Sequence, residues 1–446
     1  MRRTAIYRRG FVTNLLRDLV QQATQRTSRI GDGRVVRRMN WLLLAIILAG
    51  TVRLNGLVQR LPYGRANSVK TAETALSLFL AETEYPASIL FARFRDQVLV
   101  RLPTQVLKTY RGKPIVIVDP TDYAKRSRRG KKGRQMQYTT KVRVSKRKKG
   151  QQAQTLVSPG YVDIWAGVLL TGRHVLPLSR KLCSSTHPQF PSQNLLEEAV
   201  IWQALAALAW HAILIADRGF RRKALLVKLL VRQVEFVIRM ADNIHVLHCG
   251  TWRNVLATAR GLRPLGRVIW KEGKPHAIPG QAVVFRAQLR EAPEEDDPSK
   301  PNPEVNLIVI FPALARYDPL ILATTLPVDT LWQVRAVSKL YEQRWAIETT
   351  FQNMKRELHL DEFMVRDWTA IERLLWAGAM AYSLLVLLRL QIGEEAQRFL
   401  HEATDLLRQR AVPSKHLTLG KIREALALDH HDCPTDWPLA APPALT

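Results

Sequence analysis

The sequence predicts an α/β protein, and three observations lead to this fold class. Two apolar runs, residues 115–118 and Ile213–Ala216, have the length and composition of buried strands, and an aspartate follows each of them. Longer segments, such as residues 194–210, carry apolar residues at helical spacing. The region between residues 241 and 325 contains short alternating runs of apolar and polar residues, which predict further strands.

The chain begins with a basic region that is predicted to be helical. Residues 1–110 contain eighteen Lys or Arg and six Asp or Glu, hence a net charge of +12. Helices are expected at residues 36–48, Val69–Ala81 and 86–94. A basic helical domain is expected to bind DNA, with phosphate contacts supplying affinity and a few side chains reading bases. No helix-turn-helix pattern identifies a recognition helix.

Residues 111–240 hold the first part of the predicted core. Its expected order is a strand at 115–118, strands near 161–170 and 174–179, a helix at 194–210 capped by Ser192, a strand at 213–216, a helix at 223–232 and a strand at 236–239. A basic segment, residues 125–149, contains thirteen Lys or Arg and no acid. It is expected to lie over DNA phosphates, and a nuclear-localisation signal is the alternative interpretation.

The second half of the chain is predicted to contain an insertion, residues 241–325, followed by the remaining helices of the core. Residues 241–325 predict a β-rich insertion, and its Pro- and acid-rich loop at 291–304 is expected to be solvated and to point away from DNA. Residues 326–392 predict two core helices, of which the second is long and apolar. Residues 393–446 form a C-terminal tail with a proposed role in dimerisation.

Composition restricts the partners of this chain. The 446 residues carry a formal net charge of +29, which favours binding to polyanions. Three cysteines without a CxxC pair exclude a disulfide framework and a Cys-rich zinc site. The tail segment 429–433 could bind a metal, but an exposed polar end is the favoured interpretation.

Two apolar runs raise the question of a membrane. Residues 41–52 and 374–388 are both shorter than the roughly 20 residues that a membrane-spanning helix needs. Both runs therefore predict core helices, and no membrane association is expected. No targeting segment is evident, so a cytoplasmic location is expected.

The two aspartates at strand ends are candidates for a shared metal site. Asp119 ends the first apolar run, and Asp122, in the turn that follows, is a weaker alternative. Asp217 follows the second run, and Gly219 lets the backbone turn away behind it. Two carboxylates about 4 Å apart repel by roughly 4 kcal/mol at an effective dielectric constant of about 20. If they converge with a third acid, a divalent cation is the natural counter-charge.

The third acid belongs to a polar stripe on one predicted helix, residues 337–360. Tyr341, Arg344, Glu348 and Lys355 fall within an arc of about 60° if this helix is continuous. A solvated helix face is the ordinary interpretation of such charges. Large apolar residues on the other sides of the helix, however, indicate that it is packed. A single carboxylate among a guanidinium, an ammonium and a phenol favours a site for a phosphate and its cation.

The order Tyr, two residues, Arg, three residues, Glu, six residues, Lys resembles the YREK signature of cut-and-paste DDE transposases from bacterial insertion sequences. The sequence Asp119-Pro120-Thr121 and the strand that ends in Arg239 are also similar to this family, and the resemblance covers roughly residues 110–390. Family members often have a Trp near residue 320 that handles a flipped base. Here that place holds Pro319-Leu320, and whether Tyr317 takes the role of the Trp is left open by the sequence.

This resemblance implies a ribonuclease H-like catalytic core with a β-rich insertion, preceded by a helical DNA-binding domain. It implies that Asp119, Asp217 and Glu348 bind two Mg²⁺ ions, which Mn²⁺ can replace, and catalyse DNA cleavage and strand transfer. The residues implied to contact DNA are Tyr341, Arg344, Lys355 and Arg239. The implied partners are double-stranded DNA, as terminal inverted repeats and target, and a second copy in a homodimeric synaptic complex, in the cytoplasm with the nucleoid. Hairpin-ended DNA intermediates are also implied.

Three other classes of protein remain open. A structure-selective nuclease of the same fold would cut DNA without strand transfer. A domesticated, non-catalytic DNA-binding protein is disfavoured because all three acids are present. A basic structural protein would carry the motif by accident.

Overall fold

The computed structural model describes residues 33–60, 68–125, 136–143, 154–270, 277–291, 296–314, 316–390, 401 and 418–431. The helices are α1 (Gly33–Ala49), α2 (Leu54–Val58), α3 (Val69–Ala81), α4 (Ala87–Arg101), α5 (Gln193–Ala207), α6 (Lys223–Val231), α7 (Val255–Arg260), α8 (Leu331–Glu342), α9 (Trp345–Glu357), α10 (Trp368–Arg389) and α11 (Leu419–His431). Most of the basic segment 125–149 and most of the tail 393–446 lie outside the described residues.

The strands form one mixed sheet. They are β1 (Thr109–Tyr110), β2 (Lys113–Ala124), β3 (Gln137–Arg143), β4 (Gln154–Leu169), β5 (Val175–Cys183), β6 (Ile213–Ala216), β7 (Glu235–Arg239), β8 (His245–His248), β9 (Thr251–Asn254), β10 (Gly266–Trp270), β11 (Ile278–Arg290), β12 (Glu304–Pro312) and β13 (Leu320–Thr324). Five adjacent strands form the central part, in the order β5-β4-β2-β6-β7. Within it β2, β6 and β7 are parallel, and β4 is antiparallel to both of its neighbours. The predicted α/β class is confirmed.

The β-rich segment is joined to the central sheet by β13. This strand pairs antiparallel with β7 on one side and with β12 on the other. The sheet then continues through β11 to β8 and β9, while β10 also pairs with β11. The strands between residues 245 and 324 therefore extend the central sheet and do not form a second sheet.

One predicted helix ends earlier than its sequence pattern suggests. The helix expected at 194–210 begins as predicted, because the Ser192 side chain accepts a hydrogen bond from the backbone N–H of Leu195 at 3.1 Å. It ends at Ala207 because Ala209 and Trp210 have φ angles of 50° and 63°, in the left-handed region. These two residues turn the chain into β6.

The long apolar helix α10 is a core helix. Its N-cap Asp367 accepts a hydrogen bond from the backbone N–H of Ala370 at 2.8 Å, and nearly all of the residues that follow are buried. Among the described helices, α10 is the one long and apolar enough to cross a membrane, but 94% of its most apolar window is buried inside the protein. Burial in the fold accounts for its composition.

The N-terminal helices share the hydrophobic core with α10. Helices α1, α3, α4 and α11 all pack against it. Arg373 of α10 is buried, and its Nη1 and Nη2 donate to the carbonyl oxygens of Leu80 at 2.8 Å and Tyr85 at 3.3 Å. In the described residues, the predicted boundary at residue 110 is therefore not a break in the core. The described part of the tail, α11, packs on its own chain.

The acid-rich loop is anchored to α6 by a buried lysine, while most of its described residues are exposed, as expected of a solvated loop. Lys223, the first residue of α6, is 3% exposed. Its Nζ donates to Asp296 Oδ1 at 2.9 Å, to the Asp297 carbonyl at 2.8 Å and to Asn302 Oδ1 at 3.2 Å. A buried ammonium needs such acceptors, and the sequence pattern of the loop does not reveal that it supplies them.

Candidate active site

The ends of two neighbouring parallel strands place Asp119 and Asp217 side by side. In the ladder between β2 and β6, Val118 is the partner of Ala216, so the two aspartates that follow occupy the same row. Both strand runs are fully buried, which fixes their register against the helices. The side chain of Asp119 is 14% exposed, at the edge of the sheet.

The predicted signature helix is broken into two helices. Helix α8 ends at Glu342 and α9 begins at Trp345. Between them, the backbone N–H groups of Gln343 and Arg344 bond to carbonyls three residues back, which tightens the helix locally. The expectation of one unbroken helix is therefore wrong: Tyr341 belongs to α8, Arg344 lies in the tight turn, and Glu348 lies in α9. Gln343 and Arg344 nevertheless keep right-handed helical φ and ψ angles.

The turn directs Arg344 between two of the acids. Its Nη1 lies 3.3 Å from Asp119 Oδ2, and its Nη2 lies 2.8 Å from Glu348 Oε1. The Arg344 side chain is 7% exposed. Its Nε is buried and has no hydrogen-bond partner among the described residues. The guanidinium thus joins the first strand-end acid to the acid of α9.

Tyr341 contacts the other strand-end acid. Its hydroxyl donates to Asp217 Oδ1 at 3.3 Å, and the phenol ring is buried against the core. Arg344 joins Asp119 to Glu348, and Tyr341 contacts Asp217 on the next strand, so these five residues lie close together at the carboxyl ends of β2 and β6. The sequence predicted this association, although from a helix geometry that the structure does not have.

The charges in the cluster are not balanced by Arg344 alone. Burial raises the pKa of Asp119 to about 7; Arg344 lowers it, while Glu348 and Asp217 raise it further. A carboxyl group that holds its proton near neutral pH marks a position where additional positive charge would be stabilised.

The alternative acid, Asp122, does not join this cluster. Its side chain is exposed. Burial raises its pKa, and the nearby Lys355 ammonium lowers it. Asp119 lies 3.3 Å from Arg344 and close to Glu348 and Asp217, whereas the charged neighbour of Asp122 is Lys355. The geometry therefore favours Asp119 over Asp122.

Lys355 braces the strand that carries Asp119. Its Nζ donates to Thr121 Oγ1 at 2.8 Å and to the carbonyl of Asp122 at 2.9 Å, and it lies 5.3 Å from the centre of the Tyr123 ring. These contacts tie α9 to the end of β2. The sequence marked Lys355 as a DNA contact; its role as a brace depends on partners more than 230 residues away and has no local signal.

Arg239 lies at the same sheet edge as Asp217. In the ladder between β6 and β7, Ala216 is the partner of Ile238, so Arg239 and Asp217 follow in the same row. The side chain of Arg239 is partly buried. Its contact with DNA stays a prediction.

A residue that sequence reasoning missed is Lys125. Its Nζ donates to the carbonyls of Asp361 at 2.8 Å and Phe363 at 3.0 Å, and it lies 3.1 Å from the centre of the Phe363 ring. Burial lowers the pKa of Lys125 to about 7, against the raising effect of Asp361 and Glu362. It fixes the first residue of the basic segment beside the segment that follows α9.

The three carboxylates of Asp119, Asp217 and Glu348 suit a hard divalent cation by their chemistry, but they are not yet close enough to share one. Three carboxylates are the ligands that Mg²⁺ prefers. Asp119, whose pKa is raised mainly by burial, also lies near Glu348 and Asp217. Among the described residues, however, no three His, Cys, Asp or Glu side chains are close enough together to hold a metal ion as they stand. Arg344 lies between two of the three candidates, so the side chains must rearrange before they share an ion.

Residues 189–384 match the family model described as the transposase DDE domain. This range contains Asp217, Tyr341, Arg344, Glu348 and Lys355, and it ends inside α10; Asp119 lies before it. The match supports a DDE transposase.

Comparisons over the whole chain are weaker. No curated protein matches the chain in sequence. A similar solved structure is the cryo-EM structure of the piggyBac transposase synaptic complex with hairpin DNA, with 10% sequence identity and a TM-score of 0.45 over 96% of this chain and 83% of that chain.

Proposed function

We propose, from the premise that residues 189–384 match the transposase DDE domain, that this chain is a DNA transposase with Asp119, Asp217 and Glu348 as its catalytic acids. The observation that carries the proposal is the group of five residues at the carboxyl ends of β2 and β6, in which Arg344 contacts Asp119 and Glu348, and Tyr341 contacts Asp217. The strand order β5-β4-β2-β6-β7 supports a ribonuclease H-like core for this site.

In the proposed reaction, the three acids hold two Mg²⁺ ions. When bound, these ions would activate the attacking water or 3′-hydroxyl and stabilise the leaving oxygen. The buried ends of β2 and β6 position the two aspartates, and helix α9 positions Glu348. The insertion-sequence origin and the YREK assignment are part of this proposal.

Arg344 and Tyr341 would bind the scissile phosphate. The Arg344 guanidinium is planar, and its buried Nε has no partner among the described residues, so it retains donor capacity for a phosphate oxygen. Tyr341 offers a hydroxyl beside Asp217. Arg344 would face the phosphate from its position between Asp119 and Glu348.

The proposed course of the reaction has three steps. Water first cleaves one strand at each terminal inverted repeat and frees a 3′-hydroxyl. That hydroxyl attacks the opposite strand to give a hairpin, which is reopened. The excised end then attacks target DNA within a homodimeric synaptic complex, in the cytoplasm with the nucleoid.

The test is cleavage, in Mg²⁺, of a plasmid that bears the element's own ends. Wild type is compared with Glu348→Ala and Asp119→Asn, and with Asp122→Asn as the matched control on the same strand. Wild type and Asp122→Asn are expected to make end-specific double-strand breaks with hairpin intermediates. Glu348→Ala and Asp119→Asn are expected to lose cleavage by at least about 100-fold while they still bind the ends.

Equal cleavage by wild type and Glu348→Ala would overturn the assignment of the third acid. Loss of cleavage in Asp122→Asn, with cleavage retained in Asp119→Asn, would show that Asp122 and not Asp119 is the first catalytic acid. Cleavage without any attack of the 3′-hydroxyl on target DNA would identify a nuclease and not a transposase.

A further inference from the structure

The edge of the sheet opposite the acids is formed by four turns that lie next to each other. Residues Ile115, Ile213 and Glu235 are partners across β2, β6 and β7, so the turns before these strands lie in one row. The turn between β4 and β5 joins the same edge, because Val168 near its start is the partner of Val116. Along β6 this edge is separated from Asp217 by about 13 Å.

The turns expose cations that have no acidic partner. Lys108, Arg111, Arg173 and Arg232 are all exposed. Among the described residues, no carboxylate lies within 4 Å of any of the four. The acid at this edge, Glu235, is paired with Lys113 at 3.2 Å. We call these four cations, together with Trp210, the strand-start edge.

The turns at this edge contain residues with positive φ angles. Arg111 and Gly112 have φ angles of 52° and 76° in the tight turn between β1 and β2. Trp210 has a φ of 63° and Arg173 a φ of 61°. Left-handed conformations at non-glycine residues cost free energy, and Arg111, Arg173 and Trp210 place them in three of the four turns.

Arg232 is held in place by two tryptophans. Its guanidinium carbon lies 4.8 Å from the centre of the Trp202 ring and 6.0 Å from that of Trp210. The two rings are 6.1 Å apart, and Trp210 is 43% exposed. A stacked guanidinium loses less side-chain freedom when it binds an anion, so this cation is preorganised for a partner.

The dimensions of the row suit a nucleic-acid duplex. Arg173 and Arg232 belong to turns at opposite ends of the five central strands, which are four strand spacings, or roughly 19 Å, apart. Duplex DNA carries one negative charge per about 1.7 Å of its axis, so this length faces about eleven phosphates. Four uncompensated cations across it match a sugar–phosphate backbone.

We propose that the strand-start edge binds the backbone of a second duplex segment, separate from the DNA at the acids. The inference rests on the proposed function only in taking DNA as the polyanion. It assigns a second DNA-binding face to the same subunit, with the central sheet between the two duplexes. In a synaptic complex this face would hold DNA that is not being cut by that subunit.

The experiment measures how the affinity for a duplex of unrelated sequence depends on salt. The full chain is compared with the triple variant Arg111→Gln/Arg173→Gln/Arg232→Gln. The matched control is Arg253→Gln/Arg260→Gln/Arg263→Gln, three exposed arginines of the insertion. Each lost phosphate contact reduces the magnitude of the negative slope of log Kobs against log salt by about 0.9. The magnitude is therefore expected to fall by about 2 to 3 in the edge variant and to stay unchanged in the control.

A second variant carries Lys at the same three positions, so the arginine side chains are replaced but the positive charges remain. It is expected to have the wild-type slope, which would show that the effect of the Gln variant comes from lost charge and not from misfolding. Equal slopes in the edge variant and the control would overturn the second face. Cleavage of the element's ends by wild type is measured in parallel. If the edge variant has a reduced slope but wild type does not cleave the element's ends, the second DNA-binding face is supported and the proposed transposase activity is overturned.

Discussion

At the scale of single residues, the charges that the sequence singled out are bound by other parts of the same chain. Arg344 connects Asp119 to Glu348, and Lys355 connects α9 to Thr121 and Asp122. The identity of these residues could be predicted from motif spacing. The contacts to Asp119, Thr121 and Asp122 could not, because they join segments that are more than 200 residues apart and depend on how the sheet is assembled. The Arg344–Glu348 contact is local, four residues along the helix.

The brace formed by Lys355 leads to a stability prediction. Lys355→Gln is expected to lower the free energy of unfolding by about 1 to 2 kcal/mol, because a charge-assisted hydrogen bond to Thr121 is lost. Thr121→Val, which keeps the shape of the side chain, serves as the partner in a double-mutant cycle. The coupling energy from urea denaturation is expected to be about 1 kcal/mol. Additive effects, together with a salt slope for DNA binding reduced by about 0.9, would instead make Lys355 a phosphate contact.

His174 predicts a dependence of stability on pH. It is buried and accepts a hydrogen bond from Arg389 Nε at 3.1 Å. Burial, with a smaller contribution from Arg389, lowers its pKa to about 4. The unfolded chain takes up a proton below its pKa of about 6.5, so the stabilising contribution is present above that pH and is lost as the pH falls towards 4.

The expected loss between pH 6.5 and pH 4 is up to about 3 kcal/mol. His174→Gln retains an acceptor for Arg389 and does not titrate, so its unfolding free energy should change less over this range. Denaturation of both proteins at a series of pH values measures the difference. Parallel curves for the two proteins would contradict a role for His174.

At the scale of elements, strands were easier to predict than the ends of helices. The runs before Asp119 and Asp217 are short, fully apolar and buried on both faces, so their composition alone marks them. The break between α8 and α9 has no such mark, because Gln343 and Arg344 are good helix formers and no Gly or Pro interrupts the pattern. Tertiary contacts of Arg344 and Tyr341 accompany the tight turn there.

The acid-rich loop gives a prediction at this scale. Lys223→Met removes the ammonium that Asp296 and Asn302 surround, which leaves a partly buried carboxylate unpaired. The expected cost is about 3 kcal/mol, with faster proteolysis at residues 291–304. Lys300→Ala, an exposed change in the same loop, is the control and should leave the cleavage rate unchanged. Equal proteolysis of the two variants would show that Lys223 does not hold the loop.

At the scale of the whole molecule, composition predicted more about the partner than about the architecture. A net charge of +29 indicates a polyanion. Separate domains seemed to follow from the change in pattern near residue 110, but α1, α3 and α4 lie in one core with α10. A helical pattern shows which face of a helix is apolar and not which neighbour covers it, so this packing could not be predicted.

The pairing of β13 with β7 has a consequence for how such a chain could be shortened. The last strand of an open sheet exposes a row of unpaired N–H and C=O groups, and β7, with its buried residues Phe236, Val237 and Ile238, would be such a strand if β13 were absent. In a chain from which the segment 241–325 is deleted, β7 would therefore be an exposed edge strand that can pair with strands of other chains. By pairing with β7, strand β13 of the β-rich segment covers this edge and is expected to prevent self-association through it.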